Sequence, residues 1–89
     1  MIKKKVTIIN KLGLHARAAV KFVNMANRFT SSVKIEKGEN KIDGKSILGI
    51  LTLAAVQGTE IILCVSGKDE QSAMEALVSL IQNKFDEAE

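Results

Sequence analysis

The chain has 89 residues, of which 46% are hydrophobic and 26% charged, and its formal net charge is +3. This length suits one compact domain but not two cores of ordinary size, and the composition is typical of a soluble globular protein. No apolar stretch approaches the roughly 20 residues that cross a bilayer, and none of export length follows the first residues. We therefore expect a single cytoplasmic domain over residues 1–89, with no membrane partner.

The first predicted elements are a strand and a helix. The apolar, partly β-branched run at residues 6–9 predicts a strand, and Gly13 allows the following loop to turn sharply. Apolar residues then recur with the spacing of one helix face from residue 16 to residue 29. They lie at Ala16, Ala19, Val20, Phe22, Val23, Ala26 and Phe29. The helix would begin beside His15.

A hairpin and a short helix are predicted next. Residues 33–37 alternate apolar and polar side chains, residues 38–40 supply a turn, and residues 41–43 form the returning strand. Gly44 then ends the hairpin. Ser46 is a good N-cap for a short helix over the apolar residues 47–51.

A central strand and a last helix complete the chain. Residues 60–65 are rich in branched apolar side chains and contain Cys64, the only cysteine, which we expect in the core and without a disulfide partner. Asp69 is expected to cap the last helix. The apolar stripe of that helix consists of Ala73, Met74, Leu77, Leu80, Ile81 and Phe85.

The element order β-α-β-β-α-β-α predicts an α+β fold. Three amphipathic helices need one apolar sheet face to cover, and an open-faced β-sandwich provides it. The order in which the strands pair does not follow from this pattern.

His15, the only histidine, stands at the predicted start of the first helix. Unpaired backbone N–H groups there, including those of Ala16 and Arg17, favour a phosphate group, as does the positive end of the helix dipole. The same positive end disfavours imidazolium and keeps a ring nitrogen free to attack phosphorus. The Arg17 guanidinium can stabilise the developing charge. These residues are compatible with a phosphoryl acceptor.

The same residues also allow a purely structural interpretation. In that case His15 caps the helix or decorates the loop, and Arg17 is solvated. A metal site is not favoured, because no second histidine exists and no Asp, Glu or Cys lies within several residues of His15.

Ser46 has two compatible interpretations. It can act as the N-cap alone, or it can also be a phosphorylation site. A phosphate would add about −1.5 to −2 charges beside the apolar surface of Ile47, Leu48 and Leu51 while gaining from the helix dipole. If that surface binds an acidic partner, phosphorylation would repel the partner.

Two segments carry a family resemblance. Residues 11–17 read KLGLHAR and residues 45–49 read KSILG, and both resemble the signature segments of the HPr family at the family's separation. The resemblance extends over residues 2–85. It implies a four-stranded antiparallel sheet covered on one face by three helices, and a phosphocarrier of the phosphoenolpyruvate-dependent phosphotransferase system in sugar transport.

The resemblance also implies how the site works. His15 would accept a phosphoryl group on Nδ1 from phosphorylated enzyme I and donate it to EIIA-type proteins, with Arg17 assisting. Such a chain is a phosphoryl-carrying protein substrate rather than an independent enzyme, and it needs no metal or organic cofactor. We expect it to be a monomer with no nucleic-acid partner.

The matching regulatory residue is Ser46, which HPr kinase phosphorylates in many members of the family. The matching docking surface consists of Ile47, Leu48 and Leu51. HPr kinase/phosphorylase and a transcriptional regulator are therefore further expected partners.

Ala18 departs from the family pattern, because most members have proline directly after the arginine. Alanine forms helices well, but it adds an N–H near the phosphoryl site and leaves the His15 loop less restrained. This departure leaves open a regulatory paralogue, either nitrogen-related or a catabolite-control binding module, that acts through protein contacts while His15 is idle.

Two other function classes are disfavoured. A basic RNA-binding domain would rest on charge alone, and three Phe with no Trp or Tyr supply few side chains for base stacking. An independent enzyme would need an acid–base pair, which one histidine and scattered carboxylates do not offer.

Overall fold

The computed structural model describes residues 1–88; residue 89, the last of the predicted domain, lies outside the described residues. The elements are β1 (Ile2–Thr7), α1 (Ala16–Ala26), β2 (Ser32–Lys37), β3 (Asn40–Asp43), α2 (Ile47–Leu53), β4 (Glu60–Ser66) and α3 (Glu70–Gln82), followed by a short turn (Lys84–Asp86). Their order confirms the predicted β-α-β-β-α-β-α succession.

The strands form one antiparallel sheet in the order β1-β4-β2-β3. Leu63 on the central strand β4 lies opposite Lys4 on β1 and Ile35 on β2. Strand side chains alternate between the two faces, so one face of the sheet gathers the apolar residues of β1, β2 and β4. These pack with residues from all three helices into one buried cluster. The structure is the predicted open-faced α+β sandwich.

Several element boundaries differ from the sequence prediction, and the start of β1 and the end of α1 have clear physical reasons. β1 begins at Ile2 rather than residue 6, because the alternation places Lys3 and Lys5 on the helix-free face, where water solvates their ammonium groups. α1 ends at Ala26, three residues before Phe29, because its last turn tightens. The Phe29 N–H donates to the Ala26 carbonyl at 3.2 Å, a bond of the 3₁₀ type.

Cys64 is buried, as predicted, but it does not belong to the main core cluster. It lies on the helix-free face of β4, paired with Lys3 on one side and Lys34 on the other. Its thiol donates to the Glu36 carboxylate at 2.8 Å. Burial, followed by the contact with Glu36, raises the pKa of the Cys64 thiol. The apolar run around Cys64 therefore did not indicate which face of the sheet it occupies.

Asp69 occupies the N-cap position of the last helix, as predicted, but its side chain does not cap that helix. α3 begins directly after Asp69, but the carboxylate makes no capping bond. It instead accepts the N–H groups of Thr30 at 2.9 Å and Ser31 at 3.0 Å, together with the Ser31 hydroxyl. Asp69 therefore ties the loop before β2 to the start of α3.

These contacts make Asp69 a pH-dependent stabilising residue. The Ser31 hydroxyl, followed by the Thr30 N–H, lowers the pKa of Asp69 to about 2. A depressed carboxyl pKa stabilises the fold above the unfolded value of about 3.9, and this stabilisation is lost as the pH falls through about 2. We expect Asp69→Asn to lower the urea midpoint at pH 7 and to have a much smaller effect near pH 2.

The control is Glu39→Gln, which neutralises an exposed carboxylate in the turn between β2 and β3. It should leave the urea midpoint nearly unchanged at both pH values. An equal loss of stability for Asp69→Asn at pH 7 and near pH 2 would show that the carboxylate charge plays no part.

Candidate functional site

His15 occupies the N-cap position of α1, in an extended backbone conformation. Its carbonyl accepts the Ala19 N–H at 2.9 Å, which starts the helix. The imidazole makes no capping bond, so the first N–H groups of α1 have neither an intrahelical partner nor the ring as acceptor. The His15 side chain is 25% exposed. These features leave an anion-favouring helix start beside a reachable imidazole.

The loop that delivers His15 depends on Gly13. Gly13 has φ of +67°, and a Cβ built on it would lie 2.5 Å from the Ala55 carbonyl oxygen. The next N–H, that of Leu14, donates to the same carbonyl at 2.9 Å. Only glycine fits this close approach without strain, and this agrees with the sharp turn that the sequence predicts at Gly13.

The His15 ring contacts a carboxylate from the far end of the chain. Nε2 of His15 pairs with Oε2 of Glu87, and Oε1 of Glu87 accepts the Asn10 amide N–H at 3.0 Å. Burial raises the pKa of Glu87, but the bonds from Asn10 and His15 and the charges of His15 and Arg17 outweigh it, so the net shift is downward. An ionised Glu87 therefore faces Nε2 at neutral pH.

Glu87 is held by a segment that we call the C-terminal strap (residues 84–88). Lys84, Phe85 and Asp86 all have φ between 55° and 63°, a left-handed run that is rare outside glycine. The Phe85 side chain is fully buried, and its carbonyl accepts the Lys21 ammonium at 2.6 Å. The apolar stripe of the last helix was predicted to include Phe85, but α3 ends at Gln82. Phe85 enters the core from the strap instead.

A cavity of about 440 Å³ opens beside the strap. Three basic residues, Lys11, Arg17 and Lys21, line it together with Asp86 and Glu87. The Arg17 side chain is exposed, and its charge contributes to lowering the pKa of Glu87. The structure therefore places Arg17 and the carboxylate that contacts His15 at the same cavity.

The residues around Arg17 have contrasting exposure. Ala16 is exposed, whereas Ala18 is fully buried and belongs to the core cluster. The departure from the family proline at residue 18 thus places a methyl group in the core, while the backbone N–H stays in the first helical turn.

Ser46 begins α2 as predicted. Its hydroxyl accepts the Gly49 N–H at 3.0 Å, which is the expected N-cap bond. Ile47, Leu48 and Leu51 are exposed, Leu48 to 75%, so α2 presents an apolar outer surface. α2 packs against α1, but Ser46 shares no hydrogen bond with His15.

Val20 and Val56 are among the exposed apolar residues that were not predicted as surface. Val20, assigned by periodicity to the buried face of α1, is 40% exposed. Val56, in the loop after α2, is also exposed. Periodicity identifies the apolar side of a helix, but it cannot show how wide a stripe its neighbours cover.

Clustered metal ligands and a membrane-spanning helix are both absent from residues 1–88. That part of the chain contains no group of three or more His, Cys, Asp or Glu side chains placed to hold a metal ion. No described helix has the length and hydropathy needed to cross a membrane.

Comparisons with known proteins show which family the chain resembles. The family model described as the PTS HPr component phosphorylation site matches residues 2–83. The phosphocarrier protein HPr of Pseudomonas putida is 51% identical over 90 residues, covering all of both chains. The HPr-like protein Crh of Bacillus subtilis is 46% identical over 84 residues, covering 94% of this chain and 99% of Crh.

Solved structures are also similar. The crystal structure of HPr-C-His from Thermoanaerobacter tengcongensis has a TM-score of 0.96 and 44% identity, with full coverage of both chains. An HPr dimer from the same organism has a TM-score of 0.79 and 45% identity over 98% of this chain and 100% of that one.

Proposed function

Because this chain belongs to the HPr family, the phosphocarriers of the phosphotransferase system, we propose that His15 carries the phosphoryl group on Nδ1. The observation that carries the proposal is the position of His15 at the N-cap of α1, with Nε2 paired to Glu87. Nδ1 of the ring is then available to attack phosphorus, and it lies beside backbone N–H groups that favour an anion. An imidazole so placed can take up a phosphoryl group and release it again.

Two neighbouring groups stabilise the transferred phosphoryl group in this proposal. The N–H groups of Ala16 and Arg17 lie in the first helical turn, where the dipole favours negative charge. The Arg17 guanidinium is exposed at the adjacent cavity. It can stabilise the negative charge of the phosphoryl group both when His15 accepts the group and when it donates the group.

The proposed partners are those that the resemblance to the HPr family implies for such a carrier. Phosphorylated enzyme I supplies the group and EIIA-type proteins receive it, in the cytoplasm, while the carrier itself is a monomer and not an independent catalyst. The exposed apolar side chains of Ile47, Leu48 and Leu51 support docking on α2. The positive net charge favours acidic partner surfaces.

The test is incubation of the chain with phosphoenolpyruvate and enzyme I. An acid-labile phosphate on the chain supports the proposal. An absence of label, under conditions in which a standard HPr is labelled, would overturn it.

Ser46 is proposed as the regulatory phosphorylation site. A negative charge at Ser46 retains the N-cap, since aspartate also caps helices well, but it stands beside the apolar docking surface. We expect Ser46→Asp to slow transfer from enzyme I by about tenfold at low salt, because a charge at an interface rim mainly changes the association rate. The measurement is the initial phosphorylation rate at two salt concentrations.

The matched control is Ser79→Asp, which adds the same charge at an exposed position on α3. It should leave the rate unchanged. Equal rates for the Ser46 and Ser79 variants would count against a charge switch on α2.

Similarity to Crh favours a second, compatible role in regulation. Crh of Bacillus subtilis is described as the catabolite repression HPr, and an HPr kinase/phosphorylase and a transcriptional regulator are the partners such a role would use. A pull-down with Ser46→Ala and His15→Ala separates the roles, because a regulatory module loses its partner only when Ser46 is changed.

A further inference from the structure

Within residues 1–88, the His15 imidazole makes its hydrogen bond with Glu87, which lies 72 residues away in the sequence. We propose that Glu87 is a positioning residue that holds the proton on Nε2 and so directs the phosphoryl group to Nδ1. The inference rests on the proposed function of His15, and it adds a reason why one ring nitrogen and not the other reacts.

In the neutral imidazole, which is the form that can attack phosphorus, the contact with Glu87 favours the proton on Nε2. A carboxylate only accepts hydrogen bonds, so the Nε2 that faces Glu87 must donate. A neutral imidazole has one N–H, and placing it on Nε2 leaves the lone pair on Nδ1. A carboxylate on one ring nitrogen selects the tautomer in the same way at many histidine sites.

The Glu87 carboxylate is itself held in place. Its other oxygen accepts the Asn10 amide, which also donates to the Gly13 carbonyl at 2.8 Å in the loop before His15. The Glu87 side chain is only 10% exposed, so water competes weakly for it. Asn10 therefore joins the His15 loop and the strap through one buried side chain.

The strap is anchored by more than the contact with His15. Phe85 is fully buried and Lys21 bonds its carbonyl, so the strap has two anchors that do not involve Glu87. We therefore expect the strap to stay in place when the Glu87 side chain is removed.

The transfer step balances with this assignment. The Nδ1 lone pair forms the N–P bond as the bond between phosphorus and the donor breaks, and the electron pair of that bond leaves with the donor. The proton stays on Nε2, where Glu87 balances the positive charge that develops on the ring.

The test uses the free protein and a small phosphoryl donor, so it does not depend on enzyme I. Proton–nitrogen NMR detects the Nε2–H of His15. Phosphoramidate then transfers its phosphoryl group to the ring and releases ammonia, and phosphorus NMR distinguishes the Nδ1 and Nε2 isomers. The variants are Glu87→Ala and the matched control Asp86→Asn, which removes one negative charge from the same cavity at an exposed residue.

We expect the wild type and Asp86→Asn to show a protected Nε2–H signal and to form mainly the Nδ1 isomer. In Glu87→Ala the signal should be lost to solvent exchange, and the ratio of Nε2 to Nδ1 isomer should rise by about tenfold, since a hydrogen bond to a charged group is lost. An unchanged signal and isomer ratio in Glu87→Ala would overturn the inference. Failure of wild-type labelling by enzyme I would instead count against the proposed function.

Discussion

Replacement of His15 by alanine is expected to abolish phosphorylation by phosphoenolpyruvate and enzyme I. The chain has one histidine, so no second imidazole can take over the group. Serine phosphates survive acid, whereas a phosphoryl group on imidazole does not, so acid treatment identifies the acceptor. The measurement is acid-labile label per chain, and the expected change is from about one group per chain to none.

The control variant is Ser46→Ala, which removes a hydroxyl on another helix and should retain full labelling. The His15→Ala variant should remain folded, because the ring makes no capping bond and only one hydrogen bond to the rest of the described chain. Its circular dichroism and urea midpoint check this. Acid-labile label on the folded variant would show that the acceptor is a different residue.

Much of the fold was predictable because its signals are local. Each of these signals depends on residues that lie close together in the sequence. They are the periodicity of α1 and α3, the turns that flank β3, and the Ser46 cap. The start of α1 beside His15 follows from the same kind of signal. Local chemistry therefore predicted both candidate sites.

The remaining features depend on residues far apart in the sequence. The strand order places β4 between β1 and β2, and no local pattern specifies it. Glu87 is 72 residues from His15, and a glutamate near the end of a chain is ordinarily a solvated side chain. Asp69 satisfied a local capping pattern, but its carboxylate binds the Thr30 and Ser31 backbone instead. Tertiary contacts determine the strand order, the position of Glu87 and the partners of Asp69.

The backbone conformation explains why the strap could not be predicted from the sequence. The spacing of Phe85 continues the apolar stripe of α3, yet three consecutive residues turn left-handed after Gln82. Each such residue costs roughly 1–2 kcal/mol relative to a right-handed conformation. Burial of Phe85 offsets this cost, and it brings Glu87 back to the start of α1.

Phe85→Ala should therefore have the largest effect on stability among the changes considered. Truncation of a fully buried phenylalanine lowers the free energy of unfolding by about 3–5 kcal/mol. That is a large share of the roughly 5–15 kcal/mol that stabilises a typical domain. The measurement is urea unfolding followed by circular dichroism, with the slope held common to both proteins.

The same variant separates the anchor of the strap from the carboxylate that it carries. Without the Phe85 side chain, the Lys21 bond to the carbonyl of residue 85 remains, but it is a weaker anchor than a buried ring against the cost of the left-handed run. The strap should therefore detach, and the Nε2–H signal of His15 should disappear together with stability. Phe85→Leu keeps most of the buried volume and should lose less than about 1.5 kcal/mol while retaining the signal. Glu87→Ala should remove the signal with little loss of stability. A Phe85→Ala protein that unfolds like the wild type would show that Phe85 does not anchor the strap. The inferred dependence of the His15–Glu87 contact on Phe85 would then also be wrong.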